Sequence, residues 1–159
     1  MVTVAHVRAA VAAVADPELP VVTIEDLGIL RDVSLVDGRA SVAITPTYSG
    51  CPAMDEIRQD IRARLAAVGV SDVDIRTELS PPWTTEAITP AGRAKLDAAG
   101  IAPPGPRVAG EPVALRLSVR CPRCGSPDTE ELSRFAATAC LSLWRCRSCR
   151  EPFDRVKEH

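Results

Sequence analysis

Two cysteine pairs, Cys121-Pro-Arg-Cys124 and Cys146-Arg-Ser-Cys149, stand 21 residues apart in a chain of 159. No other feature limits the fold so tightly. Two residues between thiols let a tight turn aim both sulfurs at one ion, and two such turns complete a tetrahedral four-sulfur site with bonds of about 2.3 Å. Leu141 and Leu143 ahead of the second pair, and Val113, Leu115, Leu117 and Val119 ahead of the first, alternate as ribbon strands that meet at such a site. So short a segment has little core, and a bound ion would supply much of its folding free energy. Zinc is the commoner use of this spacing, and iron in a rubredoxin-like site is the competitor. Cys140, six residues before the second pair, reads as a small buried apolar residue rather than a fifth ligand.

The charge divides as the cysteines do. Residues 1–106 hold 9 basic and 14 acidic side chains, and residues 107–159 hold 10 and 7. Zinc with four thiolates carries a formal charge of −2, which Arg123, Arg145, Arg147 and Arg150 would offset. The remaining positive charge is too small for a ribbon held mainly by phosphate contacts, although Trp144 among these arginines keeps nucleic-acid stacking as an alternative. No apolar run approaches the roughly 18 residues that span a bilayer. The opening MVTVAHVRAA has no basic stretch followed by an apolar one, so a cytoplasmic location without membrane attachment is expected. In that reducing compartment the six cysteines argue for metal or thiol chemistry rather than disulfides.

The first part of the chain alternates helical and strand periods. Val4, Val7, Val11 and Val14 form an apolar stripe that Asp16-Pro17 should end. GILRDVSLV and RASVAI flank Asp37-Gly38, a hairpin signal, because a type I′ turn needs positive φ at both central residues. Met54, Ile57, Ile61, Leu65 and Val68 give a second amphipathic helix over 51–69, ending at Gly69. DVDIRTEL, 72–79, alternates as a strand covered on one face, with Val73, Ile75, Thr77 and Leu79 inward. Residues 90–99 suit a short helix. The expected fold is α/β in the α+β sense: a small mixed sheet with packed helices, followed by a four-cysteine zinc ribbon. The expected divisions are 1–100 for the α/β domain, 101–112 for a Pro/Gly linker and 113–159 for the ribbon.

Cys51 is the isolated thiol. Ser49-Gly50 ends a strand and Pro52 suits a first helical position, so Cys51 falls at a helix N-cap or next to it. There the helix dipole and free amides favour thiolate, and a lowered pKa is expected, with a reactive thiol and a buried structural cysteine both open. Asp16-Pro17-Glu18 reads locally as a turn with exposed acids. Neither His6 nor His159 belongs to a motif near Cys51, which argues against a cysteine hydrolase. An iron-sulfur cluster usually needs four cysteine ligands and this module has one, so a dimer or a partner would have to complete any transient site.

Taken in order, DPELPVVTIEDLG, TYSGCPAM, SPPWTTEAIT, GIAPP and TACLSLWRCRSC resemble the PaaD family of bacterial phenylacetate degradation over nearly the whole chain. The first module is also similar to SufT-like and cytosolic iron-sulfur targeting proteins. The resemblance implies a non-catalytic accessory factor that matures or assembles the multicomponent phenylacetyl-CoA epoxygenase, through iron-sulfur delivery to its reductase subunit. By position it assigns the acidic motif to Asp16, Pro17 and Glu18, the family thiol to Cys51, and structural zinc to Cys121, Cys124, Cys146 and Cys149. Cys140 matches the family's additional ribbon cysteine. In this picture Cys51 takes iron or a cluster in transit, Glu18 or Asp16 tunes it, and the ribbon docks the client. The alternative is a ribbon scaffold that holds epoxygenase subunits without handling iron; a thiol transferase using Cys51 would need a substrate that no motif identifies. The chain departs from the family pattern at Ala87, Ala136 and Leu141, where an aromatic, a glycine and a lysine are expected.

Overall fold

The computed structural model describes residues 2–105 and 119–158. The chain forms two compact units that divide after Gly92.

In the first unit, helix α1 (Val4–Ala12) begins at Thr3, whose hydroxyl accepts from the His6 amide while the His6 ring accepts from the Thr3 amide. Val7, Val11 and Val14 are buried, whereas Val4, at the exposed first turn, is not. Strands β1 (Leu30–Val36) and β2 (Arg39–Ile44) form the expected antiparallel hairpin. Asp37 and Gly38 take φ of 50° and 81°, both in the positive region that a type I′ turn requires. Helix α2 (Ala53–Ala67) buries Met54, Ile57, Ile61 and Leu65. It returns the chain to β3 (Val73–Thr77), which lies parallel to β2, so the sheet is mixed with order β1-β2-β3. The helices pack on each other, α1 against β1 and α2 against β3.

β3 departs from the one-sided burial its alternation suggests. Val73, Asp74 and Ile75 are all half-buried, Arg76 and Thr77 are exposed, and Leu79 is 71 % exposed beyond the strand. An edge strand has a neighbour on one side only, so a short β3 cannot gain the cover that period 2 would reward in a central one. The segment that follows closes over the 24–30 turn. Trp83 is buried and its indole N–H donates to the Leu27 carbonyl at 2.8 Å, and a Cβ on Gly28 would meet the Ala87 carbonyl at 2.4 Å.

The second unit takes the later turns of α3 (Pro90–Ala98) and the ribbon. Strands β4 (Ile101–Ala102), β5 (Thr129–Ser133), β6 (Leu141–Cys146) and β7 (Pro152–Val156) form a sheet of order β4-β7-β6-β5. β4 pairs parallel with β7 and the rest are antiparallel. The Pro/Gly linker expected over 101–112 therefore opens with a strand, because Ile101 and Ala102 are too short a run to show a period. Its remainder from 106, like the strand expected around Val113, Leu115 and Leu117, lies outside the described residues. The small core consists of Ala102, Val119, Cys121, Trp144, Cys146 and Phe153, with Cys149 packed against it. Cysteines thus supply much of its apolar surface.

Candidate functional site

The two cysteine turns are built alike. The Gly125 amide bonds the Cys121 carbonyl at 2.9 Å, and the Cys121 amide bonds the Ser126 carbonyl at 3.0 Å. In the second turn the Cys146 amide bonds the Glu151 carbonyl at 3.0 Å. The hydroxyls of Ser126 and Ser148 lie 2.8 Å apart and tie one turn to the other. All four sulfurs lie within 4.8 Å of one another, with Cys121 to Cys149 at 3.7 Å and Cys124 to Cys146 at 3.5 Å. Bonds of about 2.3 Å to one central tetrahedral ion would set its sulfurs about 3.8 Å apart, so the donor set and its spacing fit such an ion. Among the described residues this is the one group of three or more ligand-type side chains so gathered. Cys140 is outside it, buried with its sulfur 3.1 Å from the Thr138 hydroxyl, as expected of a cysteine that packs.

The sulfurs differ in their surroundings. The amide of Cys149 donates to Cys146 and, with neighbouring donors, holds that thiol at about 7. The Glu151 amide pulls Cys149 down, but burial and the three other sulfurs outweigh it and push the group to about 12. Crowded thiols share protons, so one ionises at the expense of another.

Three of the four arginines expected to offset a metal's charge, Arg123, Arg145 and Arg147, pair with carboxylates. Glu130 accepts from Arg145 and, at 2.9 Å, from Arg147, and these guanidiniums hold its carboxyl below the usual range. Arg123 reaches Glu151 at 3.4 Å. Trp144 is buried, with Arg155 over its ring at 5.5 Å and its N–H donated to Ser142. A base-stacking surface needs an exposed ring face and free cations, and this arrangement offers neither at Trp144, Arg145 or Arg147.

In the first unit, Asp16 is 5 % exposed, which corrects the reading of an exposed acidic turn. Its Oδ1 accepts from the amides of Glu18 and Leu19 at 2.9 and 2.8 Å, so the side chain organises the loop after α1 from within. Burial raises its pKa against the pull of those amides, and Glu18 and Glu56 raise it further. Cys51 is half-buried just before α2, whose first capping position is Pro52. The expectation of a lowered pKa there is overturned. Burial pushes the thiol up, the Ala53 amide and the Tyr48 side chain pull it down, and the charges of Glu18 and Asp16 push it up again. The local dipole was legible in the sequence; the burial that outweighs it, and the carboxylate charges from more than 30 positions earlier that add to the burial, come from the fold.

Cys51, Glu18 and Asp16 therefore lie within electrostatic reach of one another. They do not form a compact ligand group as the ribbon cysteines do. Two neighbours went unnoticed in the sequence: Tyr48, three residues before the thiol, and Glu56, in the acidic first turn of α2. The order Tyr-x-x-Cys was the available signal for the first.

Comparison with known proteins divides along the same units. Residues 5–75 match a family model described as iron-sulfur cluster assembly protein, and residues 106–157 match the PaaD zinc beta ribbon domain. The chain is 45% identical over 144 residues to a putative 1,2-phenylacetyl-CoA epoxidase subunit of Escherichia coli, covering 89% of this chain and 85% of that protein. It is 38% identical over 73 residues to an Fe-S protein maturation auxiliary factor of Porphyromonas gingivalis, covering 45% of this chain and 69% of that one. Among solved structures, a domain of unknown function DUF59 from Bacillus anthracis superposes with a TM-score of 0.55 at 29% identity, covering 58% of this chain and 90% of that one.

Proposed function

The chain belongs to the PaaD family, that of the phenylacetyl-CoA epoxidase subunit it matches over most of its length, and on that premise we propose that it is a non-catalytic factor that matures or assembles a multicomponent phenylacetyl-CoA epoxygenase by helping to deliver iron or an iron-sulfur cluster to its reductase subunit. The observation that supports this reading is that the charges of Glu18 and Asp16 reach Cys51 in a unit that resembles iron-sulfur maturation factors. At rest Cys51 is a protonated thiol. An arriving iron cation reverses the electrostatics that keep it so: the carboxylates that disfavour a second anion attract the cation, the thiol proton passes to Glu18 or to water, and the sulfur becomes a ligand. One thiolate and its neighbouring oxygens hold cargo weakly, which suits transfer. A cluster would draw its remaining cysteine ligands from the client or from a second copy of this chain.

The ribbon holds structural zinc through Cys121, Cys124, Cys146 and Cys149. There the ion cross-links two turns and completes a core too small to stand alone.

The deciding measurement is iron per protomer in the epoxygenase reductase subunit, purified anaerobically after co-expression with the intact chain or with Cys51→Ser at matched soluble levels. The expected result is a fall in iron with the substituted chain. Equal iron would favour a second reading, in which the ribbon holds epoxygenase subunits together without handling iron. That alternative draws on Leu132, 47 % exposed in β5, and Phe135, 77 % exposed just after it. It requires Phe135→Ala to weaken co-purification of the subunits while Cys51→Ser leaves it intact.

A further inference from the structure

The four ribbon sulfurs are unequally protected. Cys121 and Cys146 are 2 % and 0 % exposed and belong to the core, Cys149 is half-buried, and Cys124 is exposed. Hydrogen bonding sharpens the contrast. Cys146 accepts from the amides of Cys149 and Ser148, whereas the amide of Ser126 is the backbone donor at Cys124. On a metal all four sulfurs are thiolates, and there amide donors draw charge from a sulfur and lower its intrinsic nucleophilicity, while burial denies a reagent its approach. Both effects spare Cys146 and leave Cys124 open. The sulfur 3.5 Å from Cys124 is that of Cys146, and a disulfide needs about 2.05 Å, so the two need close by only about 1.5 Å to bond.

We propose that Cys124 is the point at which a hydroperoxide dismantles the ribbon, forming a Cys124–Cys146 disulfide and releasing the bound metal. The inference rests on the reading of the four cysteines as a metal site and is independent of any role for Cys51. The Cys124 thiolate attacks one peroxide oxygen; the O–O bond breaks, and hydroxide leaves and is protonated to water. The resulting sulfenic acid is attacked at sulfur by the Cys146 thiolate, the S–O bond breaks, and a second hydroxide takes a proton. Two thiolates have lost two electrons, and one hydrogen peroxide with two protons has become two waters. Cys121 and Cys149 are then the remaining donors, half the set that a closed site uses. The device makes the second unit sensitive to oxidant while its other sulfur ligands stay shielded.

The experiment uses the full chain carrying one zinc ion, its metal content measured first, and hydrogen peroxide below one equivalent. A chromophoric chelator reads zinc release while a cyclic diketone traps sulfenic acid for peptide mapping. The expected early adduct is on Cys124, exceeding that on each of the other three clustered cysteines by on the order of tenfold. Zinc release should track a Cys124–Cys146 linked peptide. First trapping at Cys121, Cys146 or Cys149, or zinc release without disulfide, overturns the inference while leaving the metal reading in place. A folded chain that binds no zinc overturns both. Cys51→Ser provides the control, and its ribbon should respond as the wild type does.

Discussion

Gly125 and Arg150 occupy the same place in the two cysteine turns, each directly after the second sulfur, with φ of 72° and 65°. Glycine takes this left-handed conformation freely, whereas a side chain at that φ costs about 1 kcal/mol. A Cβ at Gly125 would meet nothing within 4 Å, so the cost there is conformational rather than steric. Arg150→Gly should raise the stability of the metal-loaded chain by about 1 kcal/mol, and Gly125→Ala should lower it by a similar amount. Urea midpoints for the ribbon's amide resonances check both. No gain from Arg150→Gly would mean that the guanidinium makes a compensating contact.

Metal removal should separate the two units. A structural zinc ion contributes about 10 kcal/mol or more to small domains of this kind, and the ribbon's core includes Cys121 and Cys146, two of the four proposed ligands. Chelation should collapse the dispersion of amide resonances from 119–158 while those from 2–92 persist. Reversal on adding zinc completes the measurement, and an unchanged ribbon spectrum would show that the strands stand without the ion.

Cys51 should alkylate slowly near neutral pH, more slowly than an unstructured thiol, because burial and then Glu18 and Asp16 raise its pKa and reduce the thiolate fraction. Glu18→Gln removes one of those charges. Its rate profile for iodoacetamide, followed on the Cys51 peptide, should shift to lower pH. A shift to higher pH would mean that the loop had rearranged.

Asp16→Asn tests the cost of a buried carboxylate. The amide oxygen can still accept from Glu18 and Leu19, and the charge is gone. Because the folded pKa is raised, mainly by burial, ionisation costs stability as pH rises through that pKa, and below the unfolded value no cost remains. The variant should therefore unfold at higher temperature than the wild type at pH 7, with the advantage fading as the pH falls toward the ordinary aspartate range. Iron delivery should suffer in the same variant if Asp16 serves the cargo. Thermal melts across pH and the reductase iron assay separate the two effects.

The sequence was most legible where a local period or local stereochemistry decided the structure. Val7, Val11 and Val14, the stripe from Met54 to Leu65, and the positive-φ pair Asp37-Gly38 are short-range patterns, and they hold. The four sulfurs come together because each turn is built over four residues and the strands between are easily bridged. What escaped notice depended on contacts distant in the chain. Parallel pairing of β2 with β3 leaves β3 at an edge, which no alternation within 72–79 reveals. Asp16 looked like a surface acid because the turn it organises from inside has the same composition as one that faces water. The pKa of Cys51 rises rather than falls because helix position is read locally, whereas the burial that dominates it, and then the charges of Glu18 and Asp16, arrive through the fold.

The order of strands in the ribbon, β4-β7-β6-β5, puts β7 in the interior between two partners that precede it in the chain. During synthesis residues 1–92 have been made before β7, the later of the ribbon's two interior strands, exists. The earlier unit can settle on the ribosome while β4, β5 and β6 wait. Metal loading of the ribbon then becomes a late step in the protein's own biogenesis, timed after the thiol of Cys51 has already been positioned.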